Sequence, residues 1–140
     1  MKDPHNLQRF VDAQDRIYDD VCSELRQGLK TGHWIWFIFP QIVGLGHSQL
    51  ANTFAISSRA EAEAYLNHPI LGPRLRECTQ LVTLVNGRSI KQIFGEIDSL
   101  KFRSSMTLFA YATSDNAVFK GALQKYFGGE FDRLTLERLE

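Results

Sequence analysis

The stretch HWIWFIFPQIVGLGHSQ (residues 33–49) decides between two fold classes for this chain. Its six consecutive apolar residues, 34–39, show no periodicity, and a run of this length is equally typical of a buried strand and a buried helix segment. Pro40 follows the run, so Phe39 is expected to leave helical geometry in either case. The polar groups lie at the two edges, in His33 and in the glycine-rich turn. We therefore expect the run to be core and any ligand contact to come from its edges.

Outside this stretch the apolar residues follow helical periodicity. From residue 7 to residue 29 they recur at steps of three and four, which predicts one long helix that ends at Thr31 and Gly32. No segment alternates apolar and polar residues as a half-buried strand does. The prediction is an irregular all-α domain of about six or seven helices, with α+β, in which 34–39 form a short strand, as the alternative. Further helices are expected after the capping residues Ser48 and Asp115, from Ser58, from Ser89, near Pro69, from Asp98 or Ser99, and from Asp132.

Length and composition are those of one globular domain. The chain has 140 residues, 44% of them hydrophobic, so a single domain over residues 1–140 with a core that needs no disulfide or metal is expected. The 16 basic residues balance 16 acidic ones, so no overall charge attracts nucleic acid or an anionic membrane. The longest apolar run is far below the roughly 20 residues that span a bilayer. The expected compartment is the cytoplasm, and the oligomeric state is left open.

The sequence contains no motif of a metal, nucleotide or nucleophilic site. Cys22 and Cys78 form no CxxC or Cys/His cluster, and both are expected to be buried thiols. His5, His47 and His68 lack the spacing of metal ligands. There is no GxGxxG fingerprint, no P-loop and no GxSxG elbow. We therefore predict no metal and no cofactor.

Five blocks carry a resemblance to a known family: DPHNLQRFVDAQ (3–14), HWIWFIFPQIVGLGHS (33–48), YLNHPILGPRLREC (65–78), IFGEIDSLKFRSSMTLF (93–109) and FGGEFDRLTLERL (127–139). Together, and over nearly the whole chain, they resemble DUF1810, a mainly bacterial family of small single-domain proteins. The resemblance implies a multihelical fold and so favours the all-α prediction over α+β. It implies no catalytic residue, substrate or cofactor, because the family has none established.

The turn that contains Gly44, Gly46 and Ser48 has the elements of a small anion site. Two glycines allow a ligand to approach the backbone, and a helix that follows would direct free N–H groups toward it. The alternative is structural: the glycines simply provide a turn that needs positive φ angles. Gln41, just before the turn, is included among the candidate ligand contacts.

A second polar concentration lies in the predicted helix over residues 101–107. Lys101 and Arg103, with the hydroxyls of Ser104 and Ser105, are candidates to bind a phosphate or carboxylate. Lys101 and Ser105 are expected to share one face, and the apolar residues another. In the alternative interpretation the hydroxyls bond to the preceding helical turn and the cations lie solvated. The apolar face is expected to contain Leu100, Met106, Phe109 and Ala110.

Three further side chains are candidates for chemistry or binding. His33 is the best titratable group, a weak candidate for a general acid or base, and Trp34 and Trp36 beside it provide faces that can stack on a planar ring. A lone histidine at an element boundary is, however, more often structural. Gln14 falls in the apolar stripe of the first helix, so its amide either faces a cavity or is satisfied inside the core.

Two hypotheses of function follow from these residues. In the first, residues 33–48 and 101–107 meet in a site for a small anionic metabolite, nucleotide-like or ADP-ribose-like. In the second, the protein is a non-enzymatic interaction or adaptor module with no small-molecule site, and the polar groups form an internal network. The first requires that the polar candidates line one solvent-reached pocket. Those residues are His33, Gln41, Lys101, Arg103 and Ser104.

Overall fold

The computed structural model describes residues 3–139, and over this range the chain is all-helical. The all-α single-domain prediction is confirmed, but the described residues form ten helices rather than six or seven. Three of them, α3, α4 and α7, have only four or five residues. The helices are α1 (Gln8–Asp15), α2 (Tyr18–Gln27), α3 (Ile35–Ile38), α4 (Gln49–Thr53), α5 (Arg59–Asn67), α6 (Leu71–Leu84), α7 (Ile90–Phe94), α8 (Glu96–Ala112), α9 (Ala117–Phe127) and α10 (Arg133–Leu139).

The predicted long first helix is broken into α1 and α2. Ile17 interrupts it with non-helical dihedral angles (φ −130°, ψ 1°), and Gly28, in the left-handed region at φ 73°, ends α2 before Thr31 is reached. The break allows the two halves to pack in different directions, because α1 lies against α3 whereas α2 lies against α6. Helical periodicity alone does not contain this information, since both halves keep the same spacing of apolar residues.

The alternative of a strand over residues 34–39 is wrong. Ile35–Ile38 form a single helical turn, and Phe39 leaves helical geometry before Pro40 as expected (φ −124°, ψ 73°). Trp34, Ile35, Ile38 and Phe39 are buried, whereas the two aromatic residues between them are only half-buried. This spacing belongs to a helix rather than to an alternating strand. Within residues 3–139 the strand-like pairing is one isolated bridge between Ile42 and Ile56.

The 17-residue helix α8 runs through the middle of the molecule. It contacts α3, α5, α7, α9 and α10, and all seven residues from 104 to 110 are buried. Two details of the predicted faces are therefore wrong: Leu100 is 58% exposed, and Ser105 is fully buried. Enclosure on every side removes the polar face from the centre of the helix, and the exposed residues of α8 lie in its first turns and at its end, where Tyr111 is 41% exposed.

Most of the predicted helix starts are confirmed by their caps. The hydroxyls of Ser48, Ser58 and Ser89 each accept a hydrogen bond from a backbone N–H in the following turn, which satisfies a donor that the helix leaves free. The predicted Asp115 cap is wrong, since α9 begins one residue after Asn116 and has no side-chain cap. Asp115 instead lies 3.9 Å from the guanidinium of Arg76. No helix among the described residues has the length and apolar character of a membrane-spanning segment.

Candidate functional site

The first turns of α8 present a mixed stripe to solvent. Ile97, Leu100, Lys101 and Ser104 follow one another at steps of three, one and three, so they share a face of the helix. Ile97 is 70% exposed and Leu100 is 58% exposed, so two large apolar side chains lie next to each other at the surface. This stripe is one wall of an open cleft.

That site, called the α8 cleft, has a volume of about 310 Å³ and is open to solvent. Its second wall is the turn that follows Pro40, and its third is the start of α10. The apolar part of its surface is aliphatic, and the polar part consists of two cations, one carboxylate, one amide and one hydroxyl. The lining residues are Gln41, Leu45, Gly46, Ile97, Leu100, Lys101, Arg103, Ser104, Asp132 and Leu134.

Hydrogen bonds from α8 hold the third wall in place. Ser104 Oγ donates to Asp132 Oδ2 at 2.8 Å, and the backbone N–H of Asp132 donates to Thr107 Oγ1 at 2.9 Å. Arg103 adds bonds from Nε to the Glu130 carbonyl (3.2 Å) and from Nη2 to the Phe131 carbonyl (3.1 Å). Ser104, Arg103 and Thr107 on α8 thus form a hydrogen-bond network that anchors the C-terminal segment.

Lys101 differs from its neighbours because its charge is only loosely compensated. Its Nζ lies 5.0 Å from the centre of the Trp36 ring and 3.6 Å from Asp98 Oδ1. The other oxygen of Asp98 is 2.8 Å from Nζ of Lys30, whose side chain is only 6% exposed. The Asp98 carboxylate therefore pairs with two ammonium groups and lies closer to that of the buried Lys30. The charge of Lys101 is only partly compensated, which leaves positive charge at the cleft.

The structure brings together part of the predicted site. The predicted residues that line the α8 cleft are Gln41, Gly46, Lys101, Arg103 and Ser104. His33 does not line it. The exposed His33 side chain lies instead in a separate depression of about 180 Å³ beside Asp20, Glu24 and Trp34. The proposed partnership of His33 with Lys101 in one site therefore has no support in the geometry.

The two tryptophans lie outside the cleft wall. Trp34 is buried, and its Nε1 donates to Glu24 Oε1 at 3.0 Å. Burial alone would raise the pKa of Glu24, but the N–H groups of Gly32, Thr31 and Trp34 outweigh it and lower that pKa. Trp36 is half-buried under Lys101. Its Nε1 and the hydroxyl of Ser105 are buried without a hydrogen-bond partner among residues 3–139.

The glycine turn has mainly a structural explanation. Gly44 adopts φ +96°, and a Cβ there would lie 2.6 Å from the guanidinium of Arg138. A Cβ on Gly46 would lie 2.5 Å from the Cβ of Ala51, so glycine permits the turn to pack on α4. The exposed Ser48 uses its hydroxyl to cap Ala51 N–H at 3.1 Å. Within this turn, Gly46 lines the cleft and Gly44 and Ser48 do not.

Gln14 is a satisfied core amide rather than part of a pocket. It is 1% exposed, and its Nε2 donates to the Phe37 carbonyl (2.7 Å) and to the Tyr65 hydroxyl (3.0 Å). Arg74 Nη1 donates to its carbonyl oxygen at 3.4 Å. The amide joins α1 to α3, α5 and α6 in the core, which explains why it interrupts an apolar stripe.

Five cleft residues were not anticipated from the sequence: Leu45, Ile97, Leu100, Asp132 and Leu134. The spacing of Ile97, Leu100, Lys101 and Ser104 is visible in the sequence as one helical face, but a face with two aliphatic residues is indistinguishable from a core face without the tertiary structure. Asp132 and Leu134 reach the cleft only because α10 folds back on α8. Within residues 3–139, His, Cys, Asp and Glu side chains form no group of three or more that could hold a metal ion.

Comparisons with known proteins identify relatives over nearly the whole chain. A family model described as "Protein of unknown function (DUF1810)" matches residues 4–139. The crystal structure of the conserved hypothetical protein Rv1873 from Mycobacterium tuberculosis is 58% identical in sequence, with 98% of each chain covered and a TM-score of 0.97. No curated protein matches the chain.

Proposed function

The chain belongs to the DUF1810 family, and we propose that it binds a small amphipathic anion, a cytoplasmic metabolite, in the α8 cleft. The observation that carries the proposal is the position of Lys101 at the end of an aliphatic wall. A single exposed cation is common on protein surfaces, but Lys101 shares the cleft with Ile97 and Leu100, two large apolar side chains that are exposed to solvent. A ligand with an anionic head and an apolar body would cover both.

The head group of the ligand is expected to contact Lys101. Its ammonium shares Asp98 with Lys30, at 3.6 Å against 2.8 Å, so a carboxylate or phosphate can compete for it. Arg103 contributes positive charge at the same end, although Glu130 and the Phe131 carbonyl already occupy its Nη2. Hydrogen bonds to charged groups contribute about 1.5–3 kcal/mol each, which is the range expected for the Lys101 contact.

The body of the ligand is expected to lie on aliphatic side chains. Leu45, Ile97, Leu100 and Leu134 line the cleft, and none of its lining residues is aromatic. A volume of about 310 Å³ is at the lower end of the range for small-molecule sites, so a ligand of metabolite size fits. Nucleotide-like and ADP-ribose-like metabolites share the anionic head, and they form a separate arm of the test below.

An interaction module is the second candidate function. It is supported by the same exposed residues, Ile97 and Leu100 together with Leu134, which is 59% exposed. An apolar rim around a cleft can equally be covered by a protein partner. If this candidate is correct, none of the small molecules in the thermal-shift panel described next binds to the protein. If the partner is a second copy of the chain, Leu100→Asp abolishes the concentration-dependent self-association measured by sedimentation velocity.

A thermal-shift panel tests the proposed function. The ligands are hexanoate, hexyl phosphate, inorganic phosphate, hexanol, AMP and ADP-ribose, each titrated to saturation. A ligand at about 100 times its Kd stabilises the fold by about 2.7 kcal/mol, which raises Tm by several degrees. We expect this rise with hexanoate and hexyl phosphate and a much smaller one with inorganic phosphate or hexanol alone. A rise with AMP and ADP-ribose instead would identify a nucleotide-like ligand in the same cleft.

Lys101→Ala and Lys91→Ala form the matched pair of variants. Lys91 is an exposed lysine on α7 with a long ion pair to Glu96 (3.9 Å), so its loss controls for the removal of one positive charge. Lys101→Ala is expected to weaken binding about 10-fold to 100-fold, and Lys91→Ala to leave it unchanged. A panel without any shift, or an equal shift in both variants, would overturn the proposal.

A further inference from the structure

The fold brings the two cysteines of the chain to the same helix–helix contact. Cys22 lies on α2 and Cys78 on α6, two helices that pack against each other, and both thiols are free. Cys22 is 4% exposed and Cys78 is fully buried. The hydroxyl of Tyr18, which lies on the same helix as Cys22, is 3.8 Å from Cys78 Sγ, so α2 and α6 are in contact at this point. Two residues far apart in the sequence therefore form a dithiol pair whose outer member is Cys22.

A polar cluster surrounds this pair on the solvent side. The hydroxyl of Tyr18, one helical turn before Cys22, is 3.8 Å from Cys78 Sγ, and it also donates to the carboxylate of Glu77. The guanidinium of Arg74 lies 4.7 Å from the centre of the Tyr18 ring. Tyr18 is only half-buried. Cys78 Sγ thus adjoins a half-buried, hydrogen-bonded edge of the α2–α6 contact rather than lying in the centre of the core.

The contact makes one thiol of the pair easier to deprotonate. The hydrogen bond from Cys78 lowers the pKa of Cys22 to about 7, although burial opposes this, and Tyr18 adds a second hydrogen bond. The same partnership, together with burial, raises the pKa of Cys78. Cys22 is also slightly more exposed than Cys78, at 4% against 0%, so we expect it to be the nucleophile of the pair.

We propose that Cys22 and Cys78 form a reversible intramolecular disulfide when the protein meets a peroxide. The Cys22 thiolate attacks one peroxide oxygen, the O–O bond breaks, and the leaving hydroxide takes a proton to become water. Cys78 then attacks the sulfenic acid sulfur of Cys22, an S–S bond forms, and the expelled hydroxide takes the Cys78 proton. Two thiols and one peroxide thus give one disulfide and two waters.

The disulfide would tie α2 to α6 without rearranging the fold. Cysteines on facing turns of two packed helices can reach the bonded sulfur–sulfur separation of about 2.05 Å through changes of side-chain torsion and small shifts of the helices. Cytoplasmic disulfides in most organisms are transient, because thioredoxin and glutathione reduce them, so the bond is expected to form and be reversed. This inference does not depend on the α8 cleft.

Peptide mapping of the oxidised full chain tests the proposal. The protein is treated with hydrogen peroxide at neutral pH, alkylated and digested under non-reducing conditions. We expect one species, from monomeric protein, in which the peptides containing Cys22 and Cys78 are joined and their summed mass is lower by two hydrogen atoms. Dithiothreitol is expected to separate the two peptides again. The oxidised protein is also expected to unfold at a Tm about 5–10 °C higher, because the bond restricts the unfolded chain.

Cys22→Ser and Cys78→Ser separate the two steps. In Cys78→Ser, oxidation by peroxide is expected to stop at a sulfenic acid on Cys22, which is detected as its dimedone adduct. In Cys22→Ser, the remaining thiol of Cys78 is expected to react with peroxide far more slowly. Folding of each variant is checked by its far-UV spectrum, and the wild-type mapping is decisive even if one variant does not fold. Three results would overturn the proposal. They are oxidation of Cys22 to sulfinic acid without a cross-link, disulfides that form only between molecules, and thiols that stay unreactive in the folded protein.

Discussion

Lys30 and Asp98 form an ion pair of 2.8 Å between the end of α2 and the start of α8, with side chains only 6% and 21% exposed. Lys30 also donates to the Gly32 carbonyl, and its ammonium lies 5.0 Å from the centre of the Trp34 ring. The pair fixes the loop that leads into the aromatic run. It also sets the charge of the cleft, because the same carboxylate is the nearest acidic group to Lys101.

Replacement of Lys30 by Met is expected to destabilise the fold by about 2–3 kcal/mol, since it leaves a partly buried carboxylate without its close partner. Urea unfolding followed by far-UV circular dichroism measures this change. Lys91→Met is the control, because the exposed Lys91–Glu96 pair at 3.9 Å contributes about 0–1 kcal/mol. Equal effects of the two variants would show that the Lys30 pair has no special role.

Loss of the Glu24 carboxylate is expected to alter the dependence of stability on pH. The pKa of Glu24 is lowered in the folded state, so its contribution to stability is present above the unfolded pKa of about 4.3 and is lost as pH falls through the lower folded value. Glu24→Gln therefore removes this part of the acid dependence below about pH 5. Urea midpoints of both proteins between pH 3 and pH 7 test this, and parallel curves would contradict it.

The buried amide of Gln14 is expected to contribute to the stability of the fold through its hydrogen bonds. Gln14→Leu keeps the volume but leaves the Phe37 carbonyl and the Tyr65 hydroxyl without this donor, at a cost of about 2–4 kcal/mol. Gln8→Leu, on the exposed side of α1, is the control and should change stability by less than about 0.5 kcal/mol. Chemical denaturation of the two variants measures the difference; similar small effects would show that the network is dispensable.

The anchoring of α10 on α8 gives a local prediction. Ser104→Ala removes the 2.8 Å bond to Asp132 Oδ2, so the amides of α10 and of Asp132 are expected to exchange hydrogen about 5-fold to 20-fold faster. Exchange in α6, remote from this contact, should stay unchanged and is the internal control. Protection in α10 that is unaffected by Ser104→Ala would show that the aliphatic contacts alone hold the C-terminal segment.

Local features of this fold could be predicted from the sequence, and those that depend on tertiary contacts could not. Ser58 and Ser89 act on the turn that follows them, so their caps are visible in the sequence. The break at Ile17 and the exposure of Leu100 depend on which helices lie next to them. The site shows the same division: Lys101 and Arg103 stand out by composition, whereas Asp132 joins them only through the return of α10.

The most direct test of ligand binding in the α8 cleft is a titration of ¹⁵N-labelled protein with hexyl phosphate, followed by two-dimensional NMR. We expect saturable shift changes that are largest for the amides of Gly46, Leu100, Lys101 and Leu134 and much weaker in Lys101→Ala. Changes centred on the depression around His33 and Trp34, or no saturable change at all, would contradict this expectation.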